Sequence, residues 1–169
     1  MPILDAQLVG EESQALPPAQ PGARVLVLGV GNLLMGDEGV GIHAIRRLET
    51  AGGVAGARIL DGGTGGVTLL EDVQAAGRVI IVDATRDGKP AGTVAVLRPR
   101  TAKAIPHGLS SHDFGLKDLL AAATLLGEMP EVCLVTVSVE EVRPMSLELS
   151  EPVARALPEV VEAVRRLAA

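Results

Sequence analysis

The sequence predicts an α/β protein of three layers, a mostly parallel five-stranded sheet with helices on both faces. Three observations predict it. Short aliphatic runs, of which Arg78-Val-Ile-Ile-Val-Asp83 is the clearest, suit strands buried on both faces. Longer segments between them carry apolar residues at helical spacing. The two kinds alternate along the chain, as a parallel sheet with crossover helices requires.

Residues 1–23 carry Glu11, Glu12, Pro17, Pro18, Pro21 and Gly22 with no sustained period, and are expected to form a flexible N-terminal extension. Residues 24–169 are expected to form a single α/β domain. Arg24 to Leu28 reads as the first strand. A glycine-rich loop, Gly29-Val-Gly31-Asn32-Leu-Leu-Met-Gly36-Asp37-Glu38-Gly39-Val-Gly41, follows it, and Val40, Ala44, Ile45 and Leu48 give the first helix. Ala57 to Leu60 is the second strand, ending at Asp61-Gly62-Gly63-Thr64-Gly65-Gly66. Val67, Leu69, Leu70 and Val73 mark a second helix closed near Gly77. The third strand runs from Arg78 to Asp83. A turn through Asp87, Gly88, Lys89 and Pro90 leads to a fourth, Gly92 to Leu97. A loop from Pro99 to Ser111 offers Ser110 and Ser111 as N-caps for a third helix with Leu116, Leu119, Leu120 and Ala123 on one face, so His112 falls in its first turn. Val132 to Val139 is the fifth strand, and Val153, Leu157, Val160, Val161 and Val164 mark the last helix.

Composition excludes several classes of function. With 169 residues, 47% of them hydrophobic, the chain supports one well-cored domain rather than two. A formal net charge of −6 argues against a nucleic-acid surface, which needs clustered Lys and Arg, and Phe114 as the lone aromatic offers no stacking platform. Cys133 has no partner for a disulfide and sits among Val132, Leu134, Val135 and Val137 as a buried strand residue. No apolar run approaches the roughly 20 residues of a membrane helix, and the N-terminus lacks a secretory pattern. A cytoplasmic location and a monomer are the expectation.

Polar residues gather at one end of the sheet. Ligands of open parallel sheets bind beyond the C-terminal ends of the strands, at a switch in strand order. Asp37 and Glu38 follow strand one, Asp61 follows strand two, Asp83 ends strand three, and His112 precedes a helix. Each has a plainer explanation. Asp37 or Glu38 could favour the helix N-terminus by about 0.3–1 kcal/mol, and Asp61 before two glycines could bond its own backbone. Asp83 is harder to explain so, since a carboxylate after four apolar residues needs donors or a cation. His43, on the polar side of helix one, and His107, in a loop, are expected to have no special role. Two carboxylates and an imidazole suit a borderline divalent ion such as Ni²⁺ or Zn²⁺, although positions 38, 83 and 112 are not a local metal motif.

Dinucleotide binding is the main competing chemistry. Gly29-Val-Gly31 opens like Gly-x-Gly-x-x-Gly, and Asp61 could contact a ribose. The third glycine should stand at position 34, which is leucine, and Asp37 and Glu38 would repel a pyrophosphate. No Walker loop or Gly-x-Ser-x-Gly elbow occurs, and no bound nucleotide is expected.

The glycine loop, then Asp61-Gly62-Gly63-Thr64-Gly65-Gly66, then Ile81-Val82-Asp83-Ala84, then Ser111-His112-Asp113-Phe114-Gly115-Leu116, together resemble the ordered motifs of the [NiFe]-hydrogenase maturation endopeptidases over roughly Arg24 to Leu167. The resemblance implies a cytoplasmic peptidase that removes a C-terminal extension from the hydrogenase large-subunit precursor after nickel insertion, with nickel supplied by that precursor. It implies Glu38, Asp83 and His112 as the nickel-recognising and catalytic residues, with Asp37 and Asp61 as helpers. The family is commonly grouped with aspartic-type peptidases, yet no Asp-Thr-Gly motif occurs here. Water could be polarised by the ion or activated by Asp37, Glu38 or Asp61. A metal-sensing chaperone that binds the same precursor without cutting it would show the same ligand set. Val139 to Ser150 matches the family poorly in its middle, and the N-terminal extension has no counterpart.

Overall fold

The computed structural model describes residues 24–109, 115–127 and 129–169, together with the backbone of 6–9. Its strands are β1 (Ala6–Val9), β2 (Val25–Val30), β3 (Ala57–Gly63), β4 (Arg78–Thr85), β5 (Val94–Pro99) and β6 (Glu131–Ser138). The helices are α1 (Val40–Thr50), α2 (Leu70–Gln74), α3 (Leu116–Leu126) and α4 (Glu151–Ala168). Short 3₁₀ turns at Gly36–Gly39 and Gly66–Leu69 lead into α1 and α2.

The strands form one sheet in the order β1-β5-β6-β4-β2-β3. β3, β2, β4 and β6 pair in parallel, and β5 runs against β6. All five expected strands are present. A sixth, β1, lies in the stretch expected as a loose extension and pairs antiparallel with β5. Backbone pairing on an open edge needs no hydrophobic period, so four residues can add there without a sequence signal.

Alternation along the strands assigns the two faces. Val25, Val27, Ile80, Val82, Cys133, Val135 and Val137 pack with α1 and α4. Leu26, Leu28, Val79, Ile81, Val132 and Leu134 pack with α2 and α3. Val40, Ala44, Ile45 and Leu48 of α1 are fully buried, as the helical spacing predicts. α4 presents Val153, Leu157, Val160, Val161 and Val164 to the same layer.

Arg78 is a charge the sequence did not flag. It is 2% exposed at the start of β4, its Nε donates to Glu131 at 2.9 Å, and its Nη1 donates to the Leu167 carbonyl at 2.9 Å. A guanidinium therefore closes the C-terminal end of α4, where carbonyls lack helical partners.

Cys133 is buried on β6, and burial pushes its thiol up to about 11, with Glu131 adding in the same direction. A thiolate is the reactive form, so the native protein is expected to resist iodoacetamide at about pH 8 and to react once unfolded in guanidinium. Rapid labelling of the native protein, read by intact mass, would contradict this.

Candidate active site at the C-terminal rim of the sheet

The chain leaves β2 through α1 to β3 on one side, then crosses through α2 to β4 on the other. The C-terminal ends of β2 and β4 are therefore the switch in strand order where such sheets bind ligands.

Glycines bring the polar residues to that point. Gly41, in the first turn of α1, lies so close to the sheet that a Cβ there would collide with the carbonyl oxygens of Val30 and Val82. A Cβ on Gly29 would likewise collide with Ile45 and the Gly41 carbonyl. Helix and sheet thus touch backbone to backbone. Gly31, at φ +142°, donates its N–H to the Gly63 carbonyl at 2.8 Å, and its Cα faces the Glu38 carbonyl. The same residue therefore has the end of β3 on one side and Glu38 on the other. The motif that resembled a phosphate loop serves close packing.

Glu38 sits in the 3₁₀ turn before α1 and is 5% exposed. Asp83 is fully buried on β4, with Oδ1 accepting the Ala84 N–H at 2.8 Å. By alternation Asp83 lies on the α2–α3 face with Val79 and Ile81. Its register partner on β6 is Thr136. On this face the sheet turns from apolar, at Val79, Ile81, Val132 and Leu134, to buried polar, at Asp83, Thr85, Thr136 and Ser138. Of these, only Asp83 stands out in the sequence by itself. The others share a weaker signal, that alternate residues of two adjacent strands become polar together near their ends.

Asp61 takes a different position. It is exposed at the end of β3, and its Oδ1 accepts the Gly63 N–H at 3.0 Å, the self-bonded turn considered from sequence. Gly29 pairs with both Asp61 and Val82, so Asp61 stands two strand spacings from β4, about 10 Å.

Asp37 is 6% exposed and faces the C-terminal part of the chain. It accepts the Ser150 N–H and the Ser150 hydroxyl, both at 2.7 Å. Ser150 is the N-cap residue of α4, so Asp37 ties the start of that helix to the glycine loop. The segment before it lies over the same loop. Gly36 N–H donates to the Ser146 carbonyl at 2.8 Å, and Ser146 N–H donates to the Leu34 carbonyl at 3.1 Å. Asp37→Ala would leave the Ser150 amide and hydroxyl without their acceptor. It is expected to lower stability by about 2 kcal/mol, read as a lower urea midpoint at unchanged slope. An unchanged midpoint would show that the tie carries no stability.

His43 is half-buried rather than on a fully solvated face. Burial holds its imidazole below the ordinary value, and a backbone hydrogen bond with Leu147 acts in the opposite sense. His107 lies in the loop next to Gly108, whose carbonyl accepts the Arg86 N–H at 2.9 Å.

His112 lies outside the described residues, as do Ser110, Ser111, Asp113 and Phe114. Within the described chain α3 starts at Leu116, with the Gly115 N–H donating to Asp118 at 3.1 Å, rather than directly after the expected serine caps. Among the described residues, no three His, Cys, Asp or Glu side chains gather as a metal site.

A family model for hydrogenase maturation proteases matches residues 42–167. The hydrogenase 2 maturation protease of Escherichia coli K12 is 40% identical over 125 residues, covering 72% of this chain and 76% of that protein. The chain belongs to the hydrogenase maturation protease family. Another relative in this family, the hydrogenase expression/formation protein HoxM of Azotobacter vinelandii, is 38% identical over 76% of this chain. That match spans 64% of the length of the Azotobacter protein. Among solved structures, the maturating endopeptidase HybD from E. coli superposes with a TM-score of 0.74 at 34% identity, covering 83% of this chain and 89% of that one. The maturation-protease fold therefore carries Glu38 and Asp83 at the switch point. No helix among the described residues is long and apolar enough to cross a membrane.

Proposed function

We propose that this maturation protease is the endopeptidase that removes the C-terminal extension of a nickel-loaded [NiFe]-hydrogenase large-subunit precursor. The observation that carries this reading is the burial of two carboxylates, Glu38 and Asp83, at the switch point of a chain in this family. Burying acids costs free energy that an approaching divalent cation offsets. His112 completes the set. Leu109 pairs with Thr85, two residues beyond Asp83, and His112 follows Leu109 by three residues, a chain length of at most about 11 Å.

Nickel is cargo of the precursor in this scheme. Glu38, Asp83 and His112 approach the open side of the ion, so precursor without nickel is not engaged. Oxygen and imidazole ligands suit Ni²⁺. Cys133, the chain's one thiol, is buried on the α1–α4 face away from the rim, and in this reading the activity is of the aspartic type, with a carboxylate rather than a thiol at work. Of the three carboxylates that could activate water, Asp37 spends both oxygens on Ser150, and Glu38 is assigned to the metal. Asp61, exposed near the end of β3, is the group we assign to the hydrolytic water. Cleavage completes maturation and so activates the hydrogenase. The enzyme works in the cytoplasm as a monomer.

The test is incubation of purified protein with nickel-loaded and nickel-free precursor, followed by intact mass. Loss of a C-terminal peptide from the loaded form alone is the expected result. Binding of the loaded form without cleavage would favour a metal-sensing chaperone, and cleavage of both forms would remove the nickel checkpoint.

A further inference from the structure

The loops beyond β4 and β6 enclose an open cleft of about 590 Å³ lined by Arg86, Gly88, Lys89, Gly108, Val139 and Glu140. It lies on the same rim as Asp83. Arg86 is three residues further along the chain, and Val139 N–H donates to the Thr85 carbonyl at 2.9 Å. Leu109, through which the chain runs on toward His112, pairs with Thr85 directly beside it.

The charges of this cleft are unevenly committed. Glu140 accepts the Ala91 N–H at 3.2 Å. Asp87, behind the cleft, accepts the Ser138 hydroxyl at 3.1 Å and the Lys89 N–H at 3.1 Å. Lys89 Nζ stands 4.0 Å from Asp87, the limit of an ion pair. Arg86 is exposed and forms no ion pair among the described residues. Both acids thus have local donors, while a guanidinium and a loosely held ammonium face the opening. The protein as a whole carries a net charge of −6, whereas here Arg86 and Lys89 balance Glu140 and Asp87, so the cleft is less acidic than the protein around it and Arg86 is its cation with no acid paired to it among the described residues. Gly88 has nothing within 4 Å of where a Cβ would stand, so that wall of the cleft is open.

We infer that this cleft is a substrate subsite in which Arg86, with Lys89, binds a carboxylate of the precursor's C-terminal segment close to the scissile bond. The inference rests on the proposed protease function. An Arg fork is suited to a carboxylate, and the distance from Asp83 to Arg86, at most about 11 Å of chain, spans only a few substrate residues. The carboxylate belongs either to an acidic side chain or to the chain terminus. The cleft raises affinity for the tail, and the buried acids read the metal.

The test uses full-length protein, nickel-loaded precursor and the precursor's tail as a fluorescein-labelled synthetic peptide. The peptide is made as free acid, as C-terminal amide, and with Asp and Glu replaced by Asn and Gln. Arg86→Glu is expected to raise KM for precursor about tenfold at unchanged kcat and to weaken peptide binding equally, with partial recovery in Arg86→Lys. Arg165→Glu, on the exposed face of α4, is the control expected to match wild type. One of the two neutralised peptides should lose about tenfold on wild type and little on Arg86→Glu. Loss with the amide identifies the terminus, and loss with the Asn/Gln peptide identifies a side chain. Wild-type KM in Arg86→Glu overturns the subsite and leaves the protease reading intact. If wild type fails to cut precursor at all, the protease reading fails. Peptide binding that is lost in Arg86→Glu would then still support the cleft, and binding independent of Arg86 would overturn it.

Discussion

Asp83→Asn is expected to reduce processing of nickel-loaded precursor by more than about 100-fold, since even groups one step removed from a metal cost 10–100-fold when changed. The substitution keeps the shape of the side chain, and the asparagine oxygen can still accept the Ala84 N–H now taken by Oδ1. Because shape and the Ala84 contact are kept, the thermal midpoint is expected to stay near that of wild type. Activity is thereby expected to fall far more than stability, which a merely structural role for Asp83 would not produce. Glu38→Gln and His112→Ala should give the same loss of processing with the fold intact. The measurement is single-turnover processing by intact mass, alongside calorimetry of each variant. Wild-type processing by any of the three would remove that residue from the site.

Gly41→Ala is expected to cost about 3 kcal/mol or more. A Cβ there meets the Val30 and Val82 carbonyl oxygens, which belong to two paired central strands and cannot turn aside as a side chain could. Relief requires α1 to move off the sheet, and α1 carries the turn that holds Glu38. Loss of stability should therefore come with loss of processing in the fraction that remains folded. Gly127→Ala provides the comparison. Its φ of 174° is extended and nothing lies within 4 Å of a Cβ there, so it should unfold in urea within about 0.5 kcal/mol of wild type. A Gly41→Ala midpoint close to that of Gly127→Ala would show that the helix and sheet are not in backbone contact.

The strands and helices, and which residues stand at strand ends, were legible in the sequence because they depend on neighbours. The unbroken aliphatic run Val79 to Val82 and period 3.6 in Val40 to Leu48 are properties of short windows, and the structure keeps both, as a strand buried throughout and as a helix with one buried face. A carboxylate directly after such a strand is placed at the rim by the chain itself, so Glu38, Asp61 and Asp83 could be named in advance. The ordered motifs, which resembled those of the hydrogenase maturation endopeptidases, likewise needed only the sequence.

Partner choice needed the tertiary structure. Asp37 and Glu38 are adjacent acids with the same local signal, yet Asp37 binds Ser150, 113 residues away, while Glu38 stands buried at the switch point. Arg78 looked like a strand's charged first residue and instead donates to a carbonyl of α4, 89 residues on. Thr136 became a neighbour of Asp83 only through the parallel register of β4 and β6. β1 found its place because β5 offered an open edge. The sequence alone thus determined the α/β class, the rim carboxylates and the family resemblance. Tertiary structure decided which of those acids tie distant segments together and which stand buried at the switch point, because a carboxylate takes whatever donors the fold brings within about 3 Å, and contacts across a hundred residues leave no periodic trace.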